Sequence, residues 1–282
     1  MRQRKRNDVR LIDGLGRRLV ECGLFWMAVF ALTAGAFFYA PAALSVSSTA
    51  GSRELPIYCV QTDEPKIALT FDAAWGNEDL EEILSVLEKY RVKATFFMTG
   101  EWVSKYPDDV KKIAAAGHDL ANHGNSHCRM SQLNAAGIQK EINEMHKKIK
   151  ELTGIEMNLF RPPYGDYNDL TITTAMECGY YPIQWDVDSL DWKDYGVDSI
   201  IKTVCNHKHL GNGSIILLHN GSTYTAQALE AVISGLQEKN YELVPVSELI
   251  YTENYHMNTE GRQIPDDASK NETEQGTDAA HP

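Results

Sequence analysis

Short apolar runs alternate with segments of helical periodicity through most of the chain. The run Ile67–Phe71 has the length and composition of a buried strand. The apolar residues that follow it recur at i, i+3, i+4 and i+7, which places them on one face of a helix. These residues are Leu80, Ile83, Leu84 and Leu87. The pattern therefore predicts a strand followed by an amphipathic helix.

The same alternation is repeated along the chain. Further strands are predicted at Ala94–Met98, Leu159–Arg161, Tyr181–Trp185, Ile215–Leu218 and Glu242–Pro245. Further helices are predicted at Asp108–Ala116, from Ile138 to a C-cap at Gly154, and around Leu229–Leu236. Strands that alternate with helices in this way favour a parallel sheet, either closed into a barrel or open and doubly wound. We place the folded domain at 57–251.

The N-terminal region has the pattern of a membrane anchor. A basic segment, 1–21, precedes 22–44, which carries no charged side chain and is long enough to span about 30 Å of hydrocarbon. A cleaved signal peptide is the alternative, because Ala40-Pro41-Ala42 supplies the small residues of a cleavage point. The length of the apolar run favours a retained, single-pass anchor in the cell membrane. Both alternatives predict that a flexible linker, 45–56, leads to a domain outside the cytoplasm.

Beyond its basic start the chain is acidic. The formal net charge of the whole chain is −12, and the domain that follows the basic segment is acidic and has no basic stripe. This argues against nucleic acid as a partner, since phosphate neutralisation requires clustered cations. The last segment, 252–282, is polar and acidic with few aliphatic side chains, so we predict a disordered tail.

Chemically reactive side chains lie where several predicted strands end. They are Asp72, Arg161, the segment Asp186–Asp191 and His219. A single Asp after a strand is usually only a turn or helix-cap residue. Four strand ends that carry carboxylate, Arg or His are harder to explain as coincidence, because this end of the strands is where (β/α) barrels assemble active sites.

His123 and His127 form a candidate metal site. Two histidines four residues apart can both reach one ion, from a helix or from a tight loop. By itself the pair is a weak signal, because such histidines are more often unrelated surface residues. A carboxylate and a third histidine at strand ends elsewhere favour the metal site.

Five segments, in this order, resemble the motifs of the polysaccharide deacetylases, which carry the NodB homology domain and form carbohydrate esterase family 4. The segments are Leu69–Gly76, Asn122–His127, Phe160–Gly165, Asp188–Trp192 and Ile216–His219. The first and fourth are most similar to the sporulation-type branch of the family. The resemblance implies a distorted (β/α) barrel and hydrolysis of N-acetyl groups from amino sugars.

The resemblance also assigns roles to the acid–base residues. Asp72 matches the general base, which takes a proton from the attacking water. Arg161 matches the partner that keeps Asp72 ionised. His219 matches the general acid that protonates the departing amine, and Asp191 matches the carboxylate that orients His219.

The remaining matches concern metal and substrate. His123 and His127 match two ligands of a divalent metal ion, for which zinc is expected. Tyr164, Trp192 and Leu217 match positions that bind substrate around the acetyl group. For the two aromatic residues, a role as ordinary core side chains is the alternative.

Ala73 departs from the family pattern, which has a metal-binding Asp at this position. A methyl group cannot coordinate a metal, so the site is expected to bind its ion more weakly. Water could complete the shell, Glu78 could substitute, or the domain could bind glycan without hydrolysing it. We expect an N-deacetylase of a cell-wall polysaccharide, peptidoglycan in the first place. Chitin-like polymers, O-acetyl esters and a catalytically inactive glycan-binding envelope protein are the alternatives.

Overall fold

The computed structural model describes residues 53–266. Several predicted segments lie wholly or mostly outside the described residues: 1–21, 22–44, 45–56 and the end of 252–282. Among residues 53–266, no helix combines the length and the apolar composition needed to cross a membrane. The predicted membrane anchor at 22–44 stays a prediction.

A curled, parallel sheet forms the centre of the domain. Strand β1 (Cys59–Val60) precedes it and belongs to a smaller sheet. The central strands are β2 (Lys66–Ala73), β3 (Thr95–Met98), β4 (Asp119–Asn122), β5 (Leu159–Phe160), β6 (Tyr181–Pro182), β7 (Val187–Asp188), β8 (Ile215–His219) and β9 (Glu242–Leu243). They run in the order β6-β5-β4-β3-β2-β8-β7, and β9 pairs with the start of β2. Within residues 53–266, β6 and β7 do not pair with each other, so the sheet is a half-barrel consistent with the expected distorted barrel.

Helices cover the outer face of this sheet. They are α1 (Leu80–Lys89), α2 (Gly100–Lys105), α3 (Pro107–Ala115), α4 (Ala135–Thr153), α5 (Asp169–Glu177), α6 (Val197–Cys205) and α7 (Thr225–Glu238). The short helix α8 (Val246–Leu249) instead buries Val246 and Leu249 on the opposite side of the sheet. Helix α4 shows how the sequence sets their limits. The Asn134 side chain accepts a hydrogen bond from the Gly137 N–H at its start, and Gly154 ends it at a φ of 77°.

Strand β2 is buried on both faces, which explains its nearly continuous apolar sequence. Its helix-facing residues, among them Phe71 and Ala73, pack in the main hydrophobic core. On the opposite face, Ala68 joins a second, smaller core inside the half-barrel. Because side chains alternate along a strand, Thr70 and Asp72 share this interior face.

The strand register brings the reactive residues to one edge of the sheet. Asp72 in β2 is paired with Phe97 on one side and with His219 on the other. In β4, the strand beyond β3, the last residue Asn122 is paired with Met98 of β3 and Phe160 of β5. The residues that immediately follow these strand ends, His123 and Arg161, therefore also lie at this edge.

Ordered structure continues past the predicted domain end at residue 251. Strands β10 (Tyr255–Met257) and β11 (Arg262–Pro265) form an antiparallel hairpin, and β11 pairs in parallel with β1. The Gln263 side chain is fully buried and exchanges two hydrogen bonds with the backbone of Tyr251. This buried amide orders a segment whose composition predicted disorder, and only 267–282 of the predicted tail lies outside the described residues.

Candidate active site

Asp72, the predicted base, forms a buried ion pair with Arg161. Arg161 Nη1 donates to Asp72 Oδ1 at 2.7 Å and to Thr70 Oγ1 at 2.9 Å, and its Nη2 donates to the Gln184 carbonyl at 3.0 Å. The guanidinium also packs 4.0 Å from the centre of the Phe97 ring. Burial raises the pKa of Asp72, but the nearby Arg161, with lesser contributions from histidines, outweighs burial and lowers this pKa below its usual value. Asp72 is therefore a carboxylate at neutral pH.

His219 is held by Asp191, which lies behind it and is fully buried. Asp191 Oδ1 lies 2.8 Å from His219 Nδ1, and Asp191 Oδ2 accepts hydrogen bonds from the His219 N–H and the Thr225 hydroxyl, both at 2.7 Å. Burial lowers the pKa of His219, but the Asp191 carboxylate outweighs burial and raises it. The pKa of Asp191 lies below its usual value, because His219 and these donors overcome the effect of burial. The arrangement directs Nε2 of His219 away from Asp191.

His123 and His127 lie on the other side of Asp72. His123 Nδ1 is 2.7 Å from the Arg161 carbonyl, which leaves Nε2 to face Asp72 Oδ2 at 3.4 Å. The two imidazole rings are 5.1 Å apart. Burial lowers the pKa of His123, and it lowers that of His127 to about 4. Both rings are therefore neutral at pH 7, as metal ligands must be.

Glu141 in α4 fixes the loop between these two histidines. Its carboxylate accepts hydrogen bonds from the N–H groups of Asn125 and Ser126, each at 2.8 Å, and from the Ser126 hydroxyl at 2.9 Å. The loop then places His127 at a φ of 54°, which is unfavourable for a residue with a side chain. Such strain persists only where the surroundings impose it, and here Glu141 provides part of that restraint.

A cavity of about 450 Å³ opens in front of these groups. Asp72, both histidines of the pair and His219 line it, together with Leu217. Several of the remaining lining residues are aromatic: Trp75, Tyr164, Trp185 and Trp192. A cavity with largely apolar walls and a few converging polar groups is typical of a small-molecule binding site.

Three of the aromatic side chains are exposed, which the alternative of ordinary core packing does not explain. Trp75 is 47% exposed, Tyr164 58% and Trp192 49%. Trp75 stacks on His219 at 5.1 Å, and Tyr164 packs against His127 at 4.4 Å. Exposed rings beside a polar site are suited to contact the apolar face of a sugar.

The donor set fits a divalent metal ion only in part. His123 and His127 supply two neutral imidazoles, and the contact of His123 with a backbone carbonyl is the usual outer support of a metal ligand. Ala73, however, is fully buried in the helix-facing core, and Glu78 does not line the cavity. Among the described residues, no group of three or more His, Cys, Asp or Glu side chains is arranged to hold a metal.

The structure brings the predicted site residues together at one edge of the sheet. Arg161 and Asp191 lie beneath the cavity, and the other seven predicted residues line it. Sequence reasoning missed Trp75, Trp185 and Glu141. The position of Trp75 within the first motif was a signal that could have been used, whereas the contact of Glu141 depends on how α4 packs.

Comparisons with known proteins agree with this geometry. Residues 60–183 match the family model described as polysaccharide deacetylase. A peptidoglycan-N-acetylglucosamine deacetylase of Bacillus cereus is 36% identical over 196 residues, which is 68% of this chain and 91% of that protein. An uncharacterized Bacillus subtilis protein, YlxY, is also 36% identical, but the match spans 69% of this chain and only 60% of that relative.

Two solved structures of the same fold come from a protein described as a pseudoenzyme and from its reactivated mutant. A Bacillus anthracis protein described as a CE4 family pseudoenzyme is 29% identical, with a TM-score of 0.66 over 75% of this chain and 73% of that chain. A mutant of it described as having restored enzymatic activity is 32% identical, also with a TM-score of 0.66, over 73% and 72% of the two chains. The ordered motifs, the half-barrel and these matches lead to one conclusion: the chain belongs to the polysaccharide deacetylase family.

Proposed function

We propose that this protein removes acetyl groups from N-acetylated amino sugars of a cell-wall glycan of the peptidoglycan type. The observation that carries the proposal is the pair of strand ends at Asp72 and His219. One presents a carboxylate kept ionised by a buried Arg, the other an imidazole oriented by a buried Asp, and both face one cavity. Amide hydrolysis needs such a base and such an acid.

Each polar group has a task in the proposed reaction. Asp72 accepts the proton of a water molecule as the water attacks the acetamide carbonyl. His219, protonated and paired with Asp191, donates a proton to the nitrogen as the carbon–nitrogen bond breaks. Acetate and a free amine are the products, and the raised pKa of His219 favours the protonated form that the second step requires.

His123 and His127 would hold a divalent ion, with zinc expected. A bound ion of this kind polarises the carbonyl and lowers the pKa of water. Tyr164, Trp192 and Leu217 would enclose the acetyl group and the sugar ring. Because Ala73 supplies no ligand, we propose that the protein requires a higher metal concentration than relatives with a carboxylate at this position.

A glycan-binding envelope protein without hydrolytic activity is the second candidate. Two observations favour it: the described residues offer no group of three metal ligands, and a pseudoenzyme of the same family has a similar structure. The retained Asp72–Arg161 and His219–Asp191 pairs favour the enzyme, because glycan binding alone requires neither pair.

Acetate release from N-acetylated peptidoglycan fragments tests the proposal. The purified full chain is assayed with zinc or cobalt, beside Asp72→Asn and His219→Ala. Each substitution is expected to reduce the rate by about 10²-fold or more, the usual contribution of a positioned acid or base. Asp108→Asn, in an exposed position of α3, is the matched control. Saturable binding of the fragments without acetate release, at any metal concentration, would instead support the second candidate.

The position of the domain outside the cell membrane, with 22–44 as the anchor, is part of this proposal. It is supported by the sequence pattern alone. The full chain should sediment with membranes, and protease added to intact cells without their wall should cleave the domain. Recovery of an intact domain after this treatment would contradict the proposed location.

A further inference from the structure

A second cavity of about 630 Å³ lies beside the catalytic cavity. Trp185 and Asp188 line both, so the two cavities share a wall. Trp185 is fixed there by the Arg161 guanidinium, which lies 5.5 Å from the centre of its ring. A glycan with one sugar in the catalytic cavity can therefore place its neighbouring unit in the second cavity.

This second cavity lies at the seam of the half-barrel. The segment from Ile57 to Cys59 spans the seam through single bridges to Ile183 and Ser214. Its other walls come from the loop after α6 and from the β10–β11 hairpin. Most of its lining residues lie outside the five family motifs, and Asp188, in the fourth motif, is shared with the catalytic cavity.

The acidic side chains on its inner wall are already engaged by the protein. Asp186 Oδ1 accepts the Ile215 N–H at 2.9 Å, and Asp186 Oδ2 accepts the Ser214 hydroxyl at 3.0 Å. Asp188 Oδ1 accepts the Leu190 N–H at 2.8 Å. These hydrogen bonds engage three of the four carboxylate oxygens and leave them fewer positions for a ligand.

The cationic side chains, by contrast, are available. Among residues 53–266, neither Lys208 nor Arg262 forms an ion pair, and the one hydrogen bond of the Arg262 guanidinium is a 3.5 Å contact with the Val60 carbonyl. His207 and His209 pack edge to face at 5.3 Å beside them and add further N–H donors. Glu260, the third carboxylate, is exposed on the rim. The inner surface therefore offers more donors than acceptors.

We propose that this second cavity binds an anionic substituent, a carboxylate or a phosphate, on the sugar next to the one that is deacetylated. Arg262 and Lys208 are the residues that recognise it, Arg262 through a planar fork suited to either anion. The inference rests on the proposed function and narrows its substrate to an acidic glycan. A lactyl carboxylate, as in muramic acid, and a phosphate ester are the two sources of this chemistry.

Binding is measured without turnover, so that the inference can fail separately from the proposed function. Titration of the full chain, followed by calorimetry, uses three N-acetylated oligosaccharides of equal length. One is neutral, one carries muramic carboxylates and one carries a phosphate. The wild type should bind one of the acidic oligosaccharides about tenfold more tightly than the neutral one, which corresponds to 1.4 kcal/mol. Whichever acidic oligosaccharide binds more tightly shows whether the cavity recognises a carboxylate or a phosphate.

Lys208→Met and Arg262→Met should each remove most of this preference and leave the affinity for the neutral oligosaccharide unchanged. Lys239→Met, at the end of α7, is the charge-matched control and should keep the preference. Arg262→Lys should retain part of it, which separates loss of charge from a folding defect. Equal affinity of the wild type for all three oligosaccharides would overturn the inference, even if acetate is released. A preference that survives both Met substitutions would overturn it as well.

Discussion

Ala73→Asp is the substitution that tests most directly how this chain departs from its family. It introduces a carboxylate at the last residue of β2, next to Asp72. The new side chain replaces a methyl group that is fully buried in the helix-facing core. The variant should therefore be less stable than the wild type when metal is removed, and it should recover when metal binds.

The structure allows both effects to be estimated. A carboxylate buried without a partner costs on the order of 3–5 kcal/mol, which for a domain of this size lowers Tm by about 6–20 °C. A ligand present at 100 times its Kd adds about 2.7 kcal/mol to the stability of the state that binds it. Zinc should therefore restore most of the loss in Ala73→Asp, provided that the carboxylate reaches the ion at His123 and His127.

Thermal unfolding with a chelator and with increasing zinc measures these shifts. Ala73→Asn is the matched control, because its amide has the same shape without the charge. We expect a zinc-dependent rise in Tm that is large for Ala73→Asp and small for both Ala73→Asn and the wild type. Equal rises in the Asp and Asn variants would refute the reasoning, since they would show that position 73 does not act as a ligand.

Three further predictions concern the support of the site and the core. Glu141→Gln should lower the free energy of unfolding by about 1–3 kcal/mol in urea titrations, because it weakens charge-assisted hydrogen bonds to the loop between His123 and His127. An unchanged midpoint of the titration would show that Glu141 does not stabilise this loop. Asp191→Asn should lower the pKa of His219 in NMR titrations, since burial then acts without the carboxylate. The pKa of His219 is raised in the folded protein, so its ion pair stabilises the fold fully below the unfolded pKa of about 6.5, and this contribution is lost as the pH rises through the folded pKa. The pKa of Asp191 is lowered, so its ionised form stabilises the fold fully above the unfolded pKa of about 3.9. The Asp191→Asn deficit should thus be largest between these values and shrink at alkaline pH, and a deficit independent of pH would contradict the pairing. Ile142→Ala, in the buried face of α4, should cost about 2–5 kcal/mol, whereas exposed Glu151→Ala should have almost no effect on the same titration.

The elements with strong local signals could be predicted from the sequence. The apolar stripe of helix α4 and its stop at Gly154 were predicted from the sequence and are observed, whereas its start at Ala135, behind the Asn134 cap, was not predicted. The strand over Tyr181–Trp185 was predicted too long. Strand β6 ends at Pro182, beyond which only single contacts continue: the Ile183 N–H donates to the Phe160 carbonyl, and the Gln184 carbonyl accepts from Arg161.

The contacts that complete the site depend on residues far apart in the sequence. Trp75 stacks on His219, and its loop is held where the Gly76 carbonyl accepts from Asn220 and Trp102. The motif places Trp75 near the site, but the partners in these contacts have no local signal, because each contact depends on how two strand ends meet. The motifs predicted which residues would converge, whereas the aromatic wall and the restraint on the histidine loop required the three-dimensional arrangement.

The pairing of β1 with β11 joins residues about two hundred positions apart, Cys59 with Arg262. Contacts of such long sequence separation form late, because the entropy of closing the intervening loop must be overcome first. A growing chain can form the central sheet and bring the catalytic groups together before β1 pairs with β11. The wall of the second cavity opposite Trp185 forms only after β11 has been synthesised. A chain that ends just after residue 251 would thus keep its acid and base in place but lack one wall of the second cavity.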